Sequence, residues 1–103
     1  NSDPMAQFDV YRLKALNGYG VDIQHAHLDQ LPSRLMLPLL PPAAFAGGIN
    51  RLNPLVEVNG ESFVIKTEFA TAIGVRELGK PVANLSDHRD QIIAAMDMLV
   101  TGI

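Results

Sequence analysis

The chain has 103 residues, 48% of them hydrophobic and 18% charged, with a formal net charge of −3 and no cysteine. That length supports one domain with a hydrophobic core, and the composition excludes an intrinsically disordered chain. Disulfides, thiolate zinc sites and thiol nucleophiles are excluded, and no run of basic residues marks a nucleic-acid stripe.

No apolar run reaches the ~20 residues that span a bilayer. "NSDPMAQF" lacks the basic-then-apolar order of a signal peptide. With the missing cysteines, this sets the expectation of a cytoplasmic chain without membrane association. Residues 1–4 read as a remnant ahead of a start at Met5, leaving residues 5–103 as the single domain.

"AQFDVYRL" predicts a strand over residues 6–12, with Phe8, Val10 and, imperfectly, Leu13 on one face and Tyr11 on the other. Asn17-Gly18 is the predicted hairpin tip. In "YGVDIQH" a second strand follows, with Tyr19, Val21, Ile23 and His25 on one face and Asp22 and Gln24 on the other. "LDQLPS" is a loop. "RLMLPLL" is a continuous apolar run whose Pro38 implies an edge, a bend or a strand end. "PPAAFAGG" has room for one helical turn over residues 42–47. Asn59-Gly60 joins two strand-like runs, residues 55–58 and 62–67, in a type I′ hairpin. "AIGVREL" is a shorter strand and "GKPVANL" is irregular. A helix then starts at Ser86 as N-cap, carries Asp87 and Asp90 in its first turn, and runs to about Val100. Strands followed by one helix predict a mainly β chain: a small antiparallel sheet or partial barrel packed by a C-terminal α-helix.

That helix has more apolar surface than one core face needs. Taken at about 100° per residue, Ile92, Met96, Leu99 and Ile103 form one stripe, flanked by His88 and Ala95. The far side holds Ala94, Asp97, Met98 and Thr101, with Ile93 and Val100 on the shoulder, so one charge stands between Ile92 and Ile103. A helix apolar nearly all round is covered on several sides, and a second copy of the chain is the simplest cover. Gly102 offers a left-handed exit before the apolar Ile103.

No catalytic constellation emerges. His25, His27 and His88 would bind zinc only if they converged, and surface histidines beside a loop are the commoner case, so no metal or other cofactor is expected. Phosphate-binding and nucleophile-elbow motifs are absent. Asp9, Asp22, Asp29, Glu57, Glu61, Glu68 and Glu77 read as exposed alternating positions rather than an acid/base pair. Ser33-Arg34 and Arg51 have the chemistry to stabilise a phosphorane, but read more simply as a solvated strand end and a loop arginine. The residues favour an interaction domain over an enzyme.

Five stretches in order, "QFDVYR", "VDIQ", "RLMLPL", "PLVEVNGESF" and "VANLSDHRDQIIAAMDMLVTGI", resemble the CcdB toxins, the toxin half of bacterial ccd toxin–antitoxin modules. The resemblance spans Met5 to Ile103 and is strongest at the terminal Gly-Ile. It implies an SH3-like, CcdB/MazF-type antiparallel fold with a C-terminal helix, active as a homodimer and without catalysis of its own. It implies binding to the A subunit of DNA gyrase, with trapping of the cleaved-DNA complex. It also implies neutralisation by a CcdA-like antitoxin, which supplies the operator DNA contact in autoregulation. The family's gyrase-contacting positions fall on Asp97, Val100, Thr101, Gly102 and Ile103 at the chain end, with His27 and Leu28 in the loop after the second strand. Residues 13–19, 43–49 and 64–66 are candidates for the antitoxin groove.

The chain departs from the family pattern where it matters. Val100 and Thr101 stand where the best-known member carries aromatic side chains, Asp97 where it has an amide, and His27 where it has an aliphatic residue. Interface aromatics carry a large share of binding energy. Three readings therefore stay open: a gyrase poison, a MazF-like RNA-cleaving toxin built around Arg34, Arg51, Thr67 and the histidines, and a toxin retained only for antitoxin binding and operon control.

Overall fold

The computed structural model describes residues 6–44 and 50–103. All strand pairings are antiparallel, and the sheet is organised around its longest strand. β1 (Asp9–Leu13) and β2 (Gly18–Asp22) form a hairpin, and β3 (Ser33–Leu40) pairs β2. β4 (Leu55–Val58) and β5 (Glu61–Ile65) form a second hairpin, followed by β6 (Thr71–Gly74) and β7 (Ala83–Asn84). The path runs β4-β5-β3-β2-β1-β7, with β6 also on β3. The result is the expected mainly β chain, a partly closed barrel with one C-terminal helix, α1 (Arg89–Thr101).

Pro38 lies inside β3, where a missing N–H would normally break a ladder. β6 pairs β3 from Ser33 to Met36, and β5 pairs Leu39 and Leu40. The Pro38 carbonyl accepts from the Lys66 N–H at 2.9 Å, so the side lacking an N–H faces the changeover between those two partners. The proline marks a bend in the barrel wall.

The hairpin tip Asn59-Gly60 has φ of 52° and 84°, as a type I′ turn requires. β5 ends at Ile65, earlier than the alternation suggests, because Thr67–Phe69 winds into a 3-10 turn. In the first hairpin, Gly18 pairs Leu13 and belongs to β2. The connection is the 3-10 turn Lys14–Leu16 closed by Asn17 at φ 49°. "AIGVREL" divides into β6 and a 3-10 turn, Val75–Glu77. "GKPVANL" is not wholly irregular, since β7 pairs β1. Of the turn expected at residues 42–47, Pro42–Ala44 is a 3-10 turn, and residues 45–47 lie outside the described residues.

Both faces of the sheet are covered. The larger core gathers Val10, Val21, Leu37, Phe63 and Ile65 beneath Ile92 of α1. On the other face Tyr11, Leu13 and Met36 pack under Ile73 and Leu78. Leu13 thus shares Tyr11's face rather than Val10's, as strict alternation demands. Gly20, paired with Tyr11 across the hairpin, faces the Leu13 side chain. A Cβ there would come within 2.5 Å of Leu13 Cδ1. Gly20→Ala is expected to lose about 1–3 kcal/mol through overpacking, read from urea unfolding. A neutral result would mean that Leu13 can swing aside.

The N-terminus of α1 differs from the simple expectation. Ser86–His88 forms a 3-10 turn, and α1 begins at Arg89 with no side-chain cap. The Ser86 N–H instead donates to Asn84 Oδ1 at 2.8 Å, so the capping acceptor sits two residues upstream.

Candidate functional site

α1 begins in the core and ends in solvent. Ile92 and Ala95 are fully buried, and Ile93 and Met96 pack against the core. Leu99 is 40% exposed, and Val100 and Ile103 are each 75% exposed. The stripe expected as one core face therefore leaves the core along its length. Met98 and exposed Asp97 lie beside it.

The end is a fixed shape. Gly102, at φ 80°, donates its N–H to the Met98 carbonyl at 2.9 Å and closes the helix with a left-handed residue. Thr101 Oγ1 donates to the Asp97 carbonyl at 2.7 Å and accepts from the Ile103 N–H at 3.4 Å. Thr101 therefore turns its hydroxyl onto its own helix and seats the last residue, which leaves Val100 and Ile103 as the outward apolar groups.

His27 and Leu28 lie in the 3-10 turn Ala26–Leu28. β2 ends at Asp22, so His25 does not continue the strand face of Tyr19 and Val21 as expected, and His27 lies in the turn. Instead His25 Nδ1 accepts from the His27 N–H at 3.0 Å, and the rings meet edge-on with centroids 4.4 Å apart. Leu28 is half exposed. His88 contacts Gln91 at 2.7 Å, away from the other two histidines. Among the described residues no group of three His, Asp or Glu is placed to hold a metal ion. Within one chain no hydrogen bond joins this turn to the end of α1 among the described residues.

Beneath the turn is a network that sequence reasoning missed. Asp22 and Arg34 are both 0% exposed, and Arg34 Nε donates to Asp22 Oδ2 at 2.7 Å. This corrects the expectation that Asp22 is an exposed strand position and Arg34 a solvated one. Arg34 Nη2 reaches the Gln24 carbonyl at 3.2 Å, and the Gln24 N–H donates to Asp22 Oδ1 at 2.9 Å. The Gln24 side chain continues the chain of bonds, donating to the Leu28 carbonyl at 2.8 Å and accepting from the Leu35 N–H at 3.0 Å. The turn that carries His27 and Leu28 is thereby tied to a buried ion pair. The available signal was that Asp22 and Arg34 share a face with Met36, which becomes visible only once the register Asp22↔Met36 is fixed.

Burial pushes the Asp22 carboxyl above its usual range, and the bonds from Arg34 and Gln24 pull it back only in part. Burial, with the charges of Asp9 and Asp22, also raises the Tyr11 phenol from 10.0 to about 12, against the pull of Arg34. The folded value lies above the unfolded one, so Tyr11's contribution to stability is complete below pH 10 and is lost as the pH rises through about 12. Tyrosinate absorbance against pH checks this, and a Tyr11 midpoint at 10.0 would mean that the ring is open to water.

Of the groove candidates, residues 13–19 span the first hairpin's connection with the adjoining ends of β1 and β2, residues 64–66 cover the end of β5 and the residue after it, and residues 45–49 lie outside the described residues. Arg51 and Asn50 line a cavity of about 530 Å³ against Gln91 and Ala94 of α1. No helix among the described residues is long and apolar enough to cross a membrane.

The CcdB protein family model matches residues 7–102. Among solved structures, an endoribonuclease from a mycobacterial species has a TM-score of 0.77 at 11% identity, covering 93% of this chain and 90% of that one. A second, an endoribonuclease in complex with its cognate antitoxin from a mycobacterial species, has a TM-score of 0.74 at 11% identity over 94% and 93%. At such identity these two carry the fold alone. The family match extends over nearly every residue, and the chain belongs to the CcdB family, the toxins of toxin–antitoxin modules.

Proposed function

We propose that this chain binds the A subunit of DNA gyrase and traps the enzyme's cleaved-DNA complex, without catalysis of its own. The observation that carries the reading is the end of α1: a helix docked in the core delivers Val100 and Ile103, each 75% exposed, in a rigid closed turn. Apolar groups held rigidly in water lose little entropy on binding, which favours an interface role. Asp97, Thr101 and Gly102 shape that end, and His27 and Leu28 supply a second contact. In the same reading two copies form a homodimer that brings both helix ends together near its two-fold axis. A CcdA-like antitoxin neutralises the dimer and supplies the contact to operator DNA.

Expression of the chain without antitoxin tests this. The expected result is growth arrest with gyrase-linked double-strand breaks, and arrest with intact DNA would remove gyrase as the target. Thr101→Trp separates a working poison from a retired one. Normal growth of the natural sequence and arrest by the variant would place the defect at that residue.

The likeness to endoribonucleases keeps an RNA-cleaving reading as the alternative. Buried pairing with Asp22 withholds Arg34 from any phosphate, and the Thr67 side chain is also buried, which leaves Arg51 and the histidines of that candidate set on the surface. Incubation with single-stranded and structured RNA decides between them, since defined cleavage products would replace the gyrase reading.

A further inference from the structure

Asn-Gly occurs twice in the chain, at Asn17-Gly18 and at Asn59-Gly60, once in each hairpin. In this dipeptide the glycine nitrogen and the Asn side-chain amide are neighbours on one chain, so attack of one on the other is intramolecular, and no Cβ on the glycine hinders it. Asn is accordingly among the thermolabile residues.

The fold treats the two sites differently. Gly18 belongs to β2 and pairs Leu13, and the Leu16 and Leu39 carbonyl oxygens lie 3.7 and 3.9 Å from the place of a Cβ on it. The Asn17 N–H is bonded to the Lys14 carbonyl at 3.1 Å. Asn59 and Gly60 are both exposed. Beyond its chain neighbours, nothing lies within 4 Å of a Cβ placed on Gly60, and the Gly60 N–H has no acceptor among the described residues. Their hairpin includes β4, the strand at one end of the sheet path, so its tip opens without breaking a second ladder.

We propose that Asn59 is a site of spontaneous deamidation in the folded chain, and that folding protects Asn17. The Gly60 nitrogen gives its proton to solvent base and attacks Asn59 Cγ. The N–Cγ bond forms, the Cγ–Nδ2 bond breaks and ammonia leaves, which closes a succinimide ring. Water then opens the ring at one of its two carbonyls. The product is an aspartyl residue on the original backbone or an isoaspartyl residue whose backbone runs through the side chain. One water is consumed, one ammonia is released, and nothing is oxidised or reduced.

The product alters the tip. Asn59 Nδ2 donates to the Val82 carbonyl at 3.3 Å, and the Val82 N–H donates to the Val10 carbonyl at 2.8 Å. A carboxylate has no hydrogen to donate, so the tip lets go of the segment leading into β7. The isoaspartyl form also lengthens the two-residue loop that sets the register of buried Val56, Val58 and Phe63. Aged chains therefore differ from new ones in charge and in hairpin packing. The proposal does not depend on gyrase.

The test incubates the whole chain at physiological temperature and mildly alkaline pH, and follows both dipeptides by peptide mapping and mass spectrometry. A parallel sample in guanidinium chloride gives the rates without the fold. In the folded chain Asn59 is expected to convert about tenfold faster than Asn17 or more, because a hairpin tip opens more readily than a paired strand. The unfolded chain should convert the two alike. The converted Asn59 peptide should accept a methyl group from S-adenosylmethionine through an isoaspartyl methyltransferase, and Asn59→Gln should abolish that product. Asn59→Asp supplies the aspartyl form directly and is expected to speed amide exchange at Val82. The proposal is overturned if the Asn59 peptide of the folded chain stays intact, or if Asn17 converts as fast. The same ratio of rates in guanidinium chloride would also overturn it, since the fold would then protect neither site. Unchanged exchange at Val82 in Asn59→Asp would overturn the release of the tip.

Discussion

Arg34→Ala is expected to destabilise the folded chain by about 3–5 kcal/mol, because it leaves the Asp22 carboxylate buried without its cation. Asp22 is 0% exposed and has Arg34 Nε at 2.7 Å. The same substitution removes the donor to the Gln24 carbonyl, so the turn bearing His27 and Leu28 should loosen as well. Urea unfolding gives the first effect, and faster amide exchange at His27 and Leu28 gives the second. Replacing both partners by apolar residues of similar size, Asp22→Leu with Arg34→Met, should cost far less than Arg34→Ala alone. A single-variant loss below about 1 kcal/mol would match an exposed pair and contradict the buried one.

The second large effect concerns the chain end. Val100→Lys combined with Ile103→Lys is expected to reduce gyrase affinity by about 100-fold or more and to abolish growth arrest. Both positions are exposed and outside the core, so stability should stay within about 0.5 kcal/mol of the natural chain. Ile92→Ala is the matched control. It lies on the same stripe but is fully buried, and should lose about 2–5 kcal/mol. Loss of stability in the double-lysine variant would mean that the helix end packs on the barrel.

Features set by neighbouring residues were legible in the sequence. Asn59-Gly60 predicts its turn because both residues must take positive φ, and period-2 alternation locates β1 and β2 because the backbone enforces it. Features set by distant partners were not. β2 stops at Asp22 because that carboxylate takes the Gln24 N–H while Arg34 takes the Gln24 carbonyl, which diverts Gln24's backbone from the ladder and moves His25 and His27 into a turn. Ser86 has a good N-cap side chain, yet Asn84 supplies the acceptor and the α-helix starts later. Phe8, a bulky residue at φ 72°, is held by bonds to the Asp22 carbonyl and from the Leu85 N–H, partners that local sequence does not reveal. At the chain end the apolar excess pointed to a surface covered by a second copy of the chain, whereas Thr101's inward hydroxyl bonds needed the structure.

The most direct test of the chain end as the toxin's working surface combines purified chain, gyrase and supercoiled plasmid, followed by denaturation and protease treatment. Linear plasmid is expected with the natural chain, and supercoiled or relaxed circles with Val100→Lys/Ile103→Lys. Linear plasmid produced equally by both proteins, or by neither, would contradict a gyrase-binding role for Val100 and Ile103.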